Sequence, residues 1–591
     1  MISLGFIDHS KPQCNACGLH ETVTTPKFPL SGKGEMEIML IFDKPSEMEN
    51  ATGKKMIGQQ YTFVEEVLAK SGISLKEDCW KTHAINCSFQ KKLTDSKIKK
   101  ICSHCFPYPD SILKKKKPKL IICFGGYSAS VVLKSRFSDT SAGRWRGLPF
   151  WSPEHSCYVM VTYDPSKLFD SMDSDSYKMI IDQDITEAIK YLKKNPPKVR
   201  KPQITTSIDF KEIIQNLEII YNNATYLSID YETTALKPDN EGQKIVTCSY
   251  SYITKKEKKK LKTFSFIVDY RGMFNKKQVD IVHFWMRKIA LKRSIKKIAH
   301  HLKFEENWTR KILKIDESKG WIWCTMYTAH VLDERKKYVG LKFQSFIHFQ
   351  AEAYEERLKL YLVPKIPGGN SRNTVENAPV QDLLYYNGLD TYYTFLLFLK
   401  QRKEIQETPS LYNINNLFLQ GALCFADMES TGFGVIPGYY ENATKEIEKE
   451  ISDTEKQILK TKECKLFYKK FKRKFQFNND KDIFTMIYDV MKTEKTKETK
   501  GGKGSTDAEV LMGLAKKGSE WAKLFLHHTK LCTANDTFIS GMMREVSDKG
   551  RIHTFYHLHT TRTGRSSSTD PNFQYLEVIK ECELLEHPKA Q

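Results

Sequence analysis

Short apolar runs, each followed by residues at helical spacing, dominate the first third of the chain. MEIMLIFD (36–43) and PKLIICFGG (118–126) read as strands buried on both faces, each leading into a helix, as in a parallel α/β sheet. KYLKKNPPKVRKPQITTS (190–207), with three prolines and six basic residues, reads as a linker. A second α/β unit is expected from about 208 to 405, opening on a helix and the strand ATYLSIDYE (224–232). From about 410 helical patterns take over, broken by the lysine-rich stretch 491–504, which reads as a loop. No internal repeat is present, and the runs KKKK (114–117) and KKEKKKLK (255–262) read as solvated faces.

Length adds a domain count: 591 residues exceed one core and fit about three or four units. The composition, 40% hydrophobic and 28% charged, is that of a globular chain. No window approaches the ~18 apolar residues of a spanning helix. The first residues lack the basic and apolar regions of a secretory leader. A cytoplasmic location without a membrane partner is therefore expected. The net charge of +22 favours a polyanionic partner. Eight of the fourteen cysteines lie within the first 157 residues, and in a reducing compartment such clustering reads as metal ligands before disulfides.

The candidate chemistry is concentrated in the second unit. Asp230 and Glu232 close a strand pattern at spacing i, i+2, so their carboxylates project from one face and can hold Mg²⁺ or Mn²⁺. IAHHLKFEENW (298–308) reads as a strand turning into a helix at Glu305, and YYNGLDTYYTFLLF (385–398) as a helix with Tyr386 and Asp390 on one face. This ordered set, together with CTMYTAHVLDERKKYVGLK (324–342), resembles the 3′→5′ proofreading exonuclease domain of family A DNA polymerases, the group of bacterial DNA polymerase I. The resemblance implies an RNase H-like (DnaQ-type) fold and two Mg²⁺ or Mn²⁺ ions ligated by Asp230, Glu232 and Asp390, with Tyr386 orienting the attacking water. Glu305 stands where the family usually has Asp, and His301 where it has Asn, so altered activity is expected. A degenerate domain that only binds a strand is the alternative.

Further along, ALCFADMESTGFGVIPGYYEN (422–442) resembles the start of the family A polymerase domain, and 505–542 its thumb helices. HTTRTGRSSSTDPNFQYLE (559–577) resembles a DNA-contacting motif of the same family. Arg562 and Arg565 can reach phosphates, and Thr561, Thr563, Ser567, Ser568, Asn572 and Gln574 complete the expected contact set on primer-template DNA. The match runs to about 577, and residues 578–591 form a non-matching tail. No palm carboxylates or fingers helix follow it, so this chain alone is expected not to polymerise. An exon or truncation product is the expectation, with the rest of the polymerase or other replication proteins as partners.

In the first unit, CNACGLH (14–20), Cys87 and CSHC (102–105) resemble family 4 uracil-DNA glycosylases, which implies a [4Fe–4S] cluster on Cys14, Cys17, Cys87 and Cys105. Cys102 remains an alternative to Cys105, and Zn²⁺ or a metal-free set of buried thiols an alternative to the cluster. The pocket positions depart from that family. Asp43 stands at the acidic position, His83 in place of the uracil-reading Asn and Asp164 in place of the catalytic His. Loss of base reading and of the leaving-group donor makes an active glycosylase the weakest reading. Together these readings give an α/β multidomain chain: a glycosylase-like α/β/α domain (1–195), an exonuclease (208–405) and a mainly helical polymerase portion (410–577). The order is similar to that in replicative polymerases of large Bacillus-infecting phages.

Overall fold

The structure, a computed structural model, describes residues 14–89, 95–134, 139–170, 173–199, 201–257, 260–366, 368–494, 497 and 504–573. Gln574, the tail and most of the lysine-rich loop lie outside the described residues.

The first unit is built on β1 (Ile38–Phe42), β2 (Cys79–His83), β3 (Leu120–Phe124), β4 (Phe150–Ser152) and β5 (Cys157–Thr162), in the order β2-β1-β3-β5-β4. Only β4 runs antiparallel to its neighbour. Alternation along the strands divides the apolar side chains between two layers. Ile38, Leu40 and Phe42 pack with Val64, Leu68, Ile181 and Ile185, whereas Met39 and Ile41 pack with Ile112, Val131 and Trp145. The result is an α/β/α sandwich whose strands are buried on both faces, as their continuous apolar runs require.

The second unit holds six strands: β6 (Ile204–Ser207), β7 (Ala224–Thr233), β8 (Ile245–Thr254), β9 (Lys262–Ile267), β10 (Lys296–Ala299) and β11 (Trp321–Cys324). Their order is β11-β10-β7-β8-β9-β6. β7, β8 and β9 form an antiparallel meander, β10 runs parallel to β7, and β11 parallel to β10. β6 corrects the sequence reading, because its residues fall in the stretch expected to be linker. Ile204-Thr205-Thr206 is β-branched and pairs in parallel with Thr263–Ser265 at the sheet edge. The second unit therefore begins at about 204.

Four helices position the chemistry of this unit: α1 (Leu302–Leu313), α2 (Leu341–Phe349), α3 (Val380–Gln406) and α4 (Pro409–Thr431). α3 packs across β7 and β8, and α4 leads into the C-terminal region against α1. There, α5 (Ala508–Lys516) and α6 (Glu520–Thr533) share a small core with Ile458, Phe467 and Phe475. β12 (Phe433–Gly434) pairs with β13 (Arg551–Ile552), and β14 (Phe555–His557) with β15 (Ser567–Thr569).

Buried ion pairs join the second unit to this region. Lys303 of α1 pairs with Glu429 of α4, their side chains 1% and 4% exposed. Glu429 also accepts from Asn307 Nδ2 at 2.8 Å and from the Tyr556 N–H at 2.7 Å. Lys237 pairs with Glu545 in the same buried manner.

Candidate active site

Strand alternation and helix pitch bring together what the sequence spaces apart. Asp230 and Glu232 project from the C-terminal half of β7, and Asp390 projects from α3 where that helix crosses the sheet. One ligand oxygen from each lies within 4.8 Å of the other two. Glu305, in the first turn of α1, is buried beside them with Oε2 lacking any hydrogen-bond partner. Tyr386 stands one helical turn before Asp390 and is buried. Burial pushes the Asp230 carboxyl well above the ordinary range, and the Asp390 charge adds to it. Glu232 and Glu305 are raised for the same first reason, each with further repulsion from Asp230. Converging hard oxygens, one of them orphaned, fit a divalent oxygen-seeking cation such as Mg²⁺ or Mn²⁺.

Three further side chains belong to this site and went unread in the sequence. Asn387 Nδ2 donates to Asp230 Oδ2 at 2.5 Å. The Lys342 ammonium donates to Asp390 Oδ1, which also accepts the Tyr354 hydroxyl at 2.6 Å. Asn387 carried a signal, since it follows Tyr386 on the same helix. Lys342 and Tyr354 carried none, because they lie 48 and 36 residues from the carboxylate they hold.

The cysteines of the first unit also converge. Cys14, Cys17, Cys87 and Cys105 line one small cavity, with His20 and His104 at its wall. Cys102 is not among the residues lining that cavity, although it is buried in the same apolar cluster as Cys17, Cys87 and Cys105. Backbone N–H groups of Lys27 and Asn86 donate to Cys87 Sγ (3.4 Å) and Cys105 Sγ (3.3 Å). Burial pushes the Cys105 thiol up to about 12.

The glycosylase-like positions form a closed network. Glu49, fully buried, accepts the Tyr61 hydroxyl at 2.6 Å, Ser46 Oγ at 3.0 Å and the Met56 N–H at 2.8 Å. His83 Nε2 lies 3.3 Å from the Tyr61 oxygen, and burial lowers the imidazole to about 4. Asp43 accepts the Ser128 N–H at 2.8 Å, and burial, followed by the neighbouring Asp164 charge, raises its carboxyl to about 8. Gly125, at φ 107°, leaves room for that carboxylate, into which a Cβ would collide.

The loop between β14 and β15 exposes Arg562, Thr563 and Arg565. It borders a cleft of about 1180 Å³ of mixed charge, in which Arg335 pairs with Asp333 and Arg146 lies 3.8 Å from Asp184. Ser568 departs from the expected set. Alternation along β15 turns it inward, 1% exposed, and its hydroxyl donates to Asn572 Oδ1 at 3.1 Å. Thr561 Oγ1 likewise donates to the Arg565 carbonyl at 2.6 Å, and Ser567 Oγ pairs with Thr560 Oγ1 at 2.5 Å. These hydroxyls shape the loop, and the side chains of Arg562 and Arg565 stay exposed.

Comparison with known proteins finds similarity near both ends of the chain. Residues 29–193 match the uracil DNA glycosylase superfamily, and residues 438–585 match DNA polymerase family A. The two matched segments cover separate parts of the chain, one near each end. DNA polymerase I of Lactococcus lactis is 28% identical over 179 residues, which is 30% of this chain and 19% of that protein. The DNA polymerase of Bacillus phage SP01 is 24% identical over 338 residues (50% of this chain, 36% of that protein). That of Escherichia phage T5 is 24% identical over 332 residues (53% and 38%). The chain spans less than two fifths of the length of these relatives. No helix among the described residues is long and apolar enough to cross a membrane.

Proposed function

We propose that the second unit is a 3′→5′ exonuclease acting on single-stranded DNA ends, carried beside the family A segment in a replication protein. The convergence of Asp230, Glu232 and Asp390 within 4.8 Å carries this reading. A meander with two strands added in parallel to its first strand accords with an RNase H-like fold. Two divalent cations held by these three carboxylates would neutralise charge on the attacking and leaving oxygens. Tyr386 orients the attacking water, and Glu305, one methylene longer than Asp, reaches inward from α1. Asn387 holds Asp230 in its rotamer, and Tyr354 holds Asp390.

The exposed Arg562 and Arg565 bind DNA phosphates, which the +22 net charge favours. Cys14, Cys17, Cys87 and Cys105 hold a [4Fe–4S] cluster, a reading that their shared cavity and the resemblance to family 4 uracil-DNA glycosylases support. The Glu49–Tyr61–His83 network and the lost donors leave the first unit a structural or DNA-contacting role without uracil excision. The test of the nuclease is product identity. Purified chain with Mg²⁺ should release nucleoside 5′-monophosphates from single strands with free 3′ ends and none from 3′-blocked strands. Cleavage of the blocked strands would overturn the polarity.

A further inference from the structure

Helix α2 has two faces with different neighbours. Phe343, Phe346 and Ile347, at spacing i, i+3, i+4, turn away from the carboxylates and enter the core of the first unit. Phe343 meets Trp145 edge-on at 4.9 Å between centroids, under the Arg144 guanidinium at 4.2 Å, and Phe346 packs on Phe150 at 5.4 Å. The segment leading into α2 is tied to the same unit. Arg335 Nη1 donates to the Arg146 carbonyl at 2.6 Å, and Lys337 pairs with Asp139 at 2.9 Å. From this fixed helix Lys342 reaches the opposite way. Its ammonium pairs with Asp390 Oδ1 and lies 4.0 Å from the Tyr354 ring centroid and 4.1 Å from that of Tyr386.

We propose that Lys342 is a positioning residue of the nuclease site, held in place by the core of the glycosylase-like domain through α2. The proposal rests on the exonuclease reading above. Lys342 and Tyr354 together occupy Asp390 Oδ1, which leaves Oδ2 as the oxygen presented to a cation. The ammonium, seated between the Tyr354 and Tyr386 rings, also fixes the tyrosine that orients the water. The first unit thereby sets the geometry of the neighbouring site.

The test uses the full chain and the variants Lys342→Met, Lys342→Arg and Trp145→Ala. Lys342→Met should lower turnover on single-stranded DNA about a hundredfold with KM little changed, the cost of a misplaced reacting group. The same variant should bind Mn²⁺, followed by electron paramagnetic resonance, about tenfold more tightly, because a positive charge has left its neighbourhood. Lys342→Arg, which keeps the charge, should recover most of both properties. Trp145→Ala should lower turnover in the unaltered chain and add nothing in the Lys342→Met background. If Trp145→Ala does not fold, Phe343→Leu on α2 takes its place.

Lost turnover with unchanged or weaker Mn²⁺ binding would reduce Lys342 to a structural residue and overturn the proposal. So would additive losses from the Trp145 and Lys342 changes, for the link to the first unit. If the unaltered chain degrades no DNA, the exonuclease reading fails, while the Mn²⁺ comparison still decides whether Lys342 acts on the cation site.

Discussion

Glu429→Ala is the sharpest probe of how the second unit is tied to the C-terminal region. The change removes the acceptor of three donors at once: the Lys303 ammonium, Asn307 Nδ2 and the Tyr556 N–H. Lys303, 1% exposed, would be left as a buried charge without its partner, which costs about 3–5 kcal/mol. Burial already holds Lys303 below the ordinary lysine range, with Glu429 the main force restoring it. Without Glu429 the amine sheds its proton more readily, so the penalty should shrink as pH rises. A chain of several cores does not unfold in one step, so a local readout is needed. Hydrogen exchange of the amides in α1 supplies it. At about 1.4 kcal/mol per factor of ten, protection there should fall by about two to three and a half powers of ten. The paired change Lys303→Met with Glu429→Gln, which removes both charges and keeps an acceptor for Asn307 and the Tyr556 N–H, should restore most of the protection. A fall of less than tenfold in Glu429→Ala would refute the claim that this pair fastens the helix carrying Glu305.

Three other outcomes follow from the same geometry. Cys105→Ser should abolish the visible absorption and iron content of anaerobically purified chain, whereas Cys102→Ser should leave both intact. Asp43 is raised from the usual carboxylate range to about 8, so its contribution to stability is present below about pH 4 and lost as pH rises through 8. The melting temperature of the first unit should therefore drop between pH 6 and 9, and Asp43→Asn should flatten that drop. Uracil-containing DNA should yield no free uracil, and opening the network with Tyr61→Ala should destabilise the fold without creating glycosylase activity.

Where local periodicity decides position, the sequence was sufficient. The i, i+2 spacing of Asp230 and Glu232 put both carboxylates on one face of β7, and the i, i+4 spacing placed Tyr386 and Asp390 on one face of α3. The continuous apolar runs of β1 and β3 marked a sheet covered on both sides. What escaped was set by contacts distant along the chain. Lys342 reads as one more basic residue until the fold brings it to Asp390. The shared core of Trp145 and Phe343 joins side chains about 200 residues apart, which no local pattern reports. β6 was hidden by its proline- and lysine-rich surroundings, although Ile204-Thr205-Thr206 carried a strand signal. Ser568 was assigned by motif, and the pleat of a three-residue strand turned it inward.

The central claim, that Asp230, Glu232 and Asp390 form a hydrolytic cation site, is tested most directly on 5′-labelled single-stranded DNA. The chain and its Asp230→Ala/Glu232→Ala variant are each incubated with Mg²⁺ and no nucleotides. The account predicts a ladder shortening from the 3′ end with the unaltered chain and intact strands with the variant, both proteins binding DNA. A ladder of equal rate from the variant would contradict it.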